Sequence, residues 1–286
     1  MGILIIDAFI TFLFTVALTL SQIYIYPIKS LGGISLQTAF VQARGLQYDR
    51  RWMLVDENNQ FLTQRTFAEM ALLQVELEAD GLRVRHKIKN LEPLLLPLAP
   101  LTSQPIQVSI WDDVCTAVEV SATANAWFSE ALNRPCRLVF MPETSRRPVD
   151  PAYAHRDEIV SFADAYPILV IGEASLQDLN KRLADPVPMD RFRPSLVFTG
   201  GQPYEEETWN FSNIQNNNFQ GVKPCSRCVL TTIDQNTAEK SQEPLRTLAE
   251  YRRVGHKVLF GQNVLPLSPG SAVSVGDTIQ VENFRT

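Results

Sequence analysis

The chain has 286 residues, 45% of them hydrophobic, enough to bury a sizeable core and to form one large domain or two of ordinary size. Its 26 Lys and Arg against 31 Asp and Glu give a formal net charge of -5, which argues against a general nucleic-acid binder; an anionic small ligand would need cations gathered locally. Four cysteines are few for this length, and only Cys225 and Cys228 lie close together, so reduced thiols in a cytosolic setting are expected.

Residues 1-20 are apolar apart from Asp7 and a few Thr, and as a helix Ile3 to Leu20 would be about 27 Å long, enough to span a bilayer. The first Lys or Arg is Lys29 and no small-residue cleavage pattern precedes Ser21, which argues against a cleaved signal peptide. Two readings stay open: a membrane anchor, or a translation start assigned too far upstream. The expected setting is cytoplasmic, with membrane contact through residues 1-20 under the first reading.

From Ser21 the sequence reads as short strands: Gln22 to Tyr26, Trp52 to Val55 turning at Asp56 to Asn59 into Phe61 to Gln64, and Gln74 to Glu78 turning at Asp80-Gly81 into Leu82 to Arg85. Val75, Leu77, Leu82 and Val84 alternate with charged residues, the period-two pattern of a hairpin with one wet face. Leu91 to Pro105 is Pro-rich and reads as irregular chain before two further strands, Ile106 to Ile110 and Val114 to Val120. Thr123 to Leu132 predicts a helix and Cys136 to Phe140 the strand after it, with Cys136 in the core. The polar segment Pro142 to Asp157, with Arg146, Arg147 and three Pro, reads as a linker or flexible loop, and we place a domain boundary there, dividing 21-145 from 146-286. Downstream, Ile168 to Ile171 predicts a buried strand, Ser175 opens a helix, Ser195 to Phe198 is another strand, Pro244 to Tyr251 another helix, and Ala272 to Val281 a hairpin turning at Gly276-Asp277. The fold class is α+β and strand-dominated, a mixed barrel with peripheral helices.

Lys223-Pro224-Cys225-Ser226-Arg227-Cys228, followed by the β-prone run Val229 to Asp234, sets thiols, a hydroxyl and two cations side by side, a mix that suits a soft metal beside a phosphate. Zinc and a thioredoxin-like redox pair are the other readings of this CxxC. No second CxxC accompanies it, however, His86, His155 and His256 lie far apart, and the second cysteine leads into strand-like sequence where the redox motif opens a helix.

The ordered series Tyr26-Pro27-Ile28-Lys29-Ser30, Asp49-Arg50, Ser161 to Asp164, Glu173 to Leu176, Phe192-Arg193-Pro194, Lys223 to Cys228 and Phe260-Gly261-Gln262 resembles the MOSC family, and most closely its bacterial YcbX-type members and the mitochondrial amidoxime reducing component. The resemblance covers Ser21 to Val281 and implies a MOSC N-terminal β-barrel domain followed by the MOSC domain proper. It implies a molybdenum pterin cofactor with Cys228 as ligand to the metal, Cys225 as a neighbour only, Lys29, Ser30, Arg50, Arg193, Ser226 and Arg227 around the pterin and its phosphate, and Asp164 beside the metal as the candidate proton donor. Ala165, Tyr166 and Asn263 depart from the hydroxyl residues of eukaryotic relatives. The implied activity is reduction of N-hydroxylated compounds such as hydroxylaminopurines, hydroxylamines or amidoximes, and a non-catalytic cofactor carrier or sulfur-transfer protein using Cys228 is the alternative. No cysteine set is spaced for an iron–sulfur cluster in this chain, so electrons are expected from a separate ferredoxin or flavin reductase.

Overall fold

A computed structural model describes residues 17–154 and 156–284. The expected anchor therefore falls, for residues 1–16, outside the described residues, as does His155. Among the described residues no helix is long and apolar enough to cross a membrane.

The architecture is strand-dominated, with three α-helices among the described residues. The largest sheet runs in the order Ile279–Phe284, Trp209–Ile214, Asn217–Arg227, Lys257–Pro266, Ile168–Gly172, Leu196–Thr199, Thr19–Ile25, Ile34–Leu36. Thr19–Ile25 begins inside the apolar N-terminal segment, and Leu20, Ile23 and Ile25 are buried in the core of this sheet. It pairs antiparallel with Leu196–Thr199, so the first strand among the described residues is stitched into a sheet made mostly by the C-terminal half. Thr38–Gln42 likewise pairs with Ala272–Ser274.

A four-stranded sheet holds Trp52–Val55, Arg137–Phe140, Asp113–Glu119 and Pro105–Ile110, and a three-stranded sheet holds Leu73–Glu78, Gly81–His86 and Leu94–Pro97. In the second of these, Val75, Leu82 and Val84 are buried while Glu76 and Arg85 pair on the wet face, as the alternation predicts. The helix Ala122–Ala131 is capped by Ser121, whose hydroxyl accepts from Ala124 N–H, and it buries Ala124 and Phe128.

Several expectations are overturned. Leu94–Pro97 is a strand within the stretch read as irregular, because Leu94 and Leu96 add to the hairpin's apolar face. Phe61 to Gln64 makes only an isolated bridge, Val55 to Phe61. Ser175 does not open its helix; the helix Glu173–Asn180 starts two residues earlier, and the Ser175 hydroxyl, fully buried, donates to the Glu206 carboxylate at 2.9 Å. Ala272–Ser274 and Ile279–Phe284 lie in different sheets and form no hairpin. Val229–Thr232 is a 3-10 turn and no strand: the Thr231 and Thr232 hydroxyls donate back to the carbonyls of Cys228 (3.0 Å) and Val229 (2.7 Å), a local bonding that competes with sheet formation. The polar segment read as a linker or flexible loop makes defined contacts: Arg147 is 2% exposed and donates to the carbonyls of Ser161, Ala163 and Asp164, while Arg44 donates to those of Glu143 and Ser145.

Candidate functional site

Lys29 and Ser30 follow the first strand, Arg50 follows Gly45–Leu46, Arg193 ends the 3-10 turn Met189–Phe192, and Ser226 to Cys228 finish the long strand Asn217–Arg227 and its exit. That strand pairs with Lys257–Pro266 through register shifts at Gly221/Lys223 and Pro224/Ser226, irregularities that re-aim the side chains of the Cys-containing segment out of the sheet. Gly261 in the partner strand has φ +80, and a Cβ there would lie 2.7 Å from Ile171 Cγ1, so this close approach requires glycine.

All eight residues singled out in the sequence, Cys228, Asp164, Lys29, Ser30, Arg50, Arg193, Ser226 and Arg227, line one cavity of about 290 Å³ between the two halves of the chain. Arg65, Thr63 and Lys223 share its wall. Six lining cations (Lys29, Arg50, Arg65, Arg193, Lys223, Arg227) face one lining carboxylate, Asp164, so a chain of net negative charge builds a locally positive hollow.

The cations are held individually. Arg50 pairs at 2.5 Å with Asp49, a carboxylate 1% exposed whose other oxygen accepts from Tyr26 N–H at 2.7 Å; burial raises its pKa against the lowering effect of Arg50. The Arg50 and Arg193 guanidiniums lie 4.3 and 4.1 Å from the centre of the Tyr26 ring. Arg193 is 8% exposed, and among the described residues its guanidinium makes no hydrogen bond or ion pair; burial pushes it down to about 10. Ser30, Arg50 and Arg193 have φ of 66, 49 and 54, left-handed conformations that non-glycine residues adopt at a cost, concentrated here on one cavity wall.

Lys29 is buried, donates to the Phe162 carbonyl at 2.9 Å and pairs with Asp164 at 2.5 Å. Burial lowers its ammonium to about 8 although Asp164 opposes that shift. Asp164, half exposed, also accepts from Arg65 at 2.9 Å and from the Trp111 indole N–H at 3.3 Å. Desolvation alone would raise its carboxyl, but Lys29 and Arg65 outweigh it and hold Asp164 well below the usual carboxylate range.

Cys228 is half-buried with extended backbone, and its carbonyl accepts from Thr231 N–H at 3.1 Å. Arg227 donates to the Phe192 carbonyl at 2.7 Å and to the Cys225 sulfur at 3.1 Å, so the nearest guanidinium serves the first cysteine of the pair. Cys225 and Cys228 are both free thiols, and among the described residues no group of three His, Cys, Asp or Glu could hold a metal ion.

Sequence reading missed Arg65, Thr63, Trp111 and the structural role of Arg147, which carries Asp164 through its carbonyl. No local pattern marks them, because their partners at the site, such as Asp164 for Arg65 and Trp111, lie far away in sequence.

The fold is strand-dominated, and its cation-lined cavity has a cysteine at the end of an irregular strand on its wall. Residues 17–135 match the MOSC N-terminal beta barrel domain and residues 157–280 the MOSC domain. The chain is 34% identical over 280 residues to the mitochondrial amidoxime-reducing component 1 of Mus musculus, covering 91% of this chain and 81% of that protein, and 32% identical over 280 residues to its Homo sapiens counterpart, covering 91% and 82%. It is also 32% identical over 261 residues to the molybdenum cofactor sulfurase of Oryza sativa, a match covering 85% of this chain and 32% of that protein. The chain belongs to the MOSC family, with relatives among amidoxime-reducing components and molybdenum cofactor sulfurases.

Proposed function

We propose that the chain is a molybdenum-cofactor-dependent oxidoreductase that reduces N-hydroxylated compounds with electrons from a separate ferredoxin or flavin reductase. The observation that carries this reading is the placement of Cys228 on the same cavity wall as Lys29, Arg50, Arg193 and Arg227, cations drawn from both halves of the chain. The reaction is R–NHOH + 2e⁻ + 2H⁺ → R–NH₂ + H₂O: the N–O bond breaks, and nitrogen and oxygen each take up a proton.

The residues fit such a cofactor. A buried guanidinium that stacks on a ring but meets no hydrogen-bond acceptor or ion-pair partner among the described residues, as at Arg193, is unfavourable unless a ligand neutralises it, and a phosphate is the group its fork matches. A bare ion has no side-chain ligand set among the described residues, whereas a metal that arrives with sulfur ligands of its own needs only one more, for which the Cys228 thiolate is suited. When bound, the cofactor would supply the two-electron redox chemistry. Lys29, Arg50 and Arg193 would hold the phosphate and pterin, with Ser30, Ser226 and Arg227 closing the wall around them.

Asp164 keeps its place in this reading but changes its task. A carboxyl held ionised by two cations has no proton to give near neutral pH, whereas Lys29, at about 8, is largely protonated there and close enough to its transition to release one. We therefore assign proton delivery to Lys29 and the orientation of Lys29 and Arg65 to Asp164.

The test is expression in cells able and unable to make the molybdenum cofactor, followed by metal analysis and by reduction of hydroxylamines, hydroxylaminopurines and amidoximes with an artificial donor. Molybdenum-free protein from competent cells ends this reading. The similarity to sulfurases favours a second one, transfer of sulfur or cofactor through Cys228 without net reduction. A persulfide on Cys228 in the purified chain, with no turnover of N-hydroxyl substrates by metal-loaded protein, would select it.

A further inference from the structure

A second cavity, of about 570 Å³, shares one lining residue, Arg193, with the cavity of Cys228. Its size lies within the range of roughly 300 to 1,000 Å³ common for small-molecule sites. Like the first it is built from both halves of the chain: Tyr24 comes from the strand Thr19–Ile25, Lys87 follows the strand Gly81–His86, and Asp190 belongs to the 3-10 turn that Arg193 ends.

The charged groups of this wall do not satisfy one another. The Arg193 N–H donates to the Asp190 carbonyl at 3.2 Å, yet the two side chains form no ion pair, and the Arg193 guanidinium stacks on the Tyr26 ring instead. Among the described residues the Asp190 carboxylate makes no hydrogen bond or ion pair, and its Oδ1 is buried. The half-buried Lys87 ammonium donates to the Gln235 carbonyl at 2.6 Å and has no ion-pair partner among the described residues; burial lowers its pKa, although Asp190 opposes that shift. Tyr26, 2% exposed, adds a hydroxyl with no hydrogen-bond partner. Buried polar groups are normally satisfied, so a carboxylate, a guanidinium and a hydroxyl left unsatisfied around one cavity mark a place where a ligand completes the bonding.

We propose that this cavity is a binding site for a sugar phosphate, free or as the ribose phosphate of a nucleotide. Lys87 and Arg193, cations without an acidic partner, match a phosphate monoester. The Asp190 carboxylate repels a phosphate and accepts hydrogen bonds from hydroxyls, which the vicinal diol of a sugar supplies as a pair. An inorganic anion would leave Asp190 unsatisfied, and a cationic ligand would be repelled by both cations. Lys87 and Asp190 have no task in the reductase reading, so the site stands whether or not molybdenum is found.

Calorimetric titration of the purified full chain with ribose 5-phosphate, AMP and inorganic phosphate tests the site. Ribose 5-phosphate should saturate a single site and bind more tightly than inorganic phosphate. Asp190→Ala should weaken ribose 5-phosphate about tenfold or more while inorganic phosphate binds no less tightly, a retention that also shows the variant to be folded. Lys87→Gln should weaken both. AMP bound at least as tightly as ribose 5-phosphate identifies the source as a nucleotide, and AMP excluded identifies it as a free sugar phosphate. The proposal is overturned if neither ribose 5-phosphate nor AMP binds saturably, or if Asp190→Ala weakens ribose 5-phosphate and inorganic phosphate equally. It is overturned too if ribose 5-phosphate binding is lost in Arg50→Met but kept in Lys87→Gln, since Arg50 lines only the cavity of Cys228 and Lys87 only the second one.

Discussion

Replacing Arg193 by Met should stabilise the metal-free protein while weakening its hold on the cofactor. The guanidinium is 8% exposed, pairs with no acceptor among the described residues, and is pushed by burial from its ordinary value down to about 10. That depression corresponds to roughly 3 kcal/mol by which the folded, ligand-free chain disfavours the charged form. The sign follows: a base whose folded pKa lies below its unfolded one destabilises the fold at every pH below about 10, and the penalty is relieved only as pH rises through that value. Met removes the charge but also the contact with Tyr26, worth roughly 0.5 to 2 kcal/mol. The net gain should be about 1 to 2 kcal/mol, or a Tm higher by about 2 to 6 °C for a chain of this size. The left-handed backbone at 193 is equally strained with either side chain and cancels. Thermal unfolding of protein from cofactor-deficient cells measures the first effect, and the molybdenum content of protein from competent cells the second. A variant that melts below the parent when made in cofactor-deficient cells, and carries normal molybdenum when made in competent cells, would refute the argument that Arg193 awaits an anion.

Cys228→Ser should abolish molybdenum binding and N-reduction, while Cys225→Ser should reduce activity less; equal losses would contradict the assignment of Cys228 as ligand. Turnover should fall on the alkaline side as Lys29 loses its proton, at or above the value of about 8 that burial gives it in the metal-free chain, and Lys29→Arg, which keeps the charge but cannot release a proton in the accessible range, should lower turnover at every pH while molybdenum content stays near normal, as a pH–rate profile with metal analysis would show. In metal-free protein the same group adds stability between about pH 8 and its unfolded value, because there the unfolded chain binds more protons; Lys29→Met should flatten that rise in denaturant midpoints. Arg147→Met leaves the carbonyls of Ser161, Ala163 and Asp164 without their buried donor and should cost about 3 to 5 kcal/mol in urea unfolding, far more than a substitution in a free linker would.

The hairpin across Asp80-Gly81 and the helix after Ser121 could be read from the sequence because the signals are local: alternation around a turn in one case, a cap followed by apolar residues at helical spacing in the other. The candidate site was legible in a different way, through a spaced series of motifs whose candidate site residues lie up to 199 positions apart, Lys29 to Cys228, and yet line one cavity. Periodicity could not reveal that strands of the N-terminal region pair with strands of the C-terminal half, since alternation marks which face of a strand is buried but not which strand lies beside it. Nor could it show that β-branched Thr231 and Thr232 would bond backward into a turn where propensity reads strand. Arg147 misled for a related reason: an arginine amid prolines looks solvated until the carbonyls it serves are folded around it.

The pairing of Thr19–Ile25 with Leu196–Thr199 bears on how the cavity is kept. Lys29 and Ser30 follow a strand that pairs on one side with Ile34–Leu36 and on the other with Leu196–Thr199 of the C-terminal half, so they cannot leave the cations of that half without breaking the second pairing. Like charges gathered at this density repel, and in the metal-free chain Asp49, Asp164 and the Tyr26 ring are among the groups that oppose the repulsion. A phosphate bound among them would turn the repulsion into attraction across the junction, and its stabilisation would add to the fold by mass action. The loaded protein should therefore unfold at a higher temperature than the metal-free one, and the difference should shrink in Arg193→Met, where the anion has lost one partner and the empty site one unpaired charge. An unchanged difference would mean that the ligand's charge is met elsewhere.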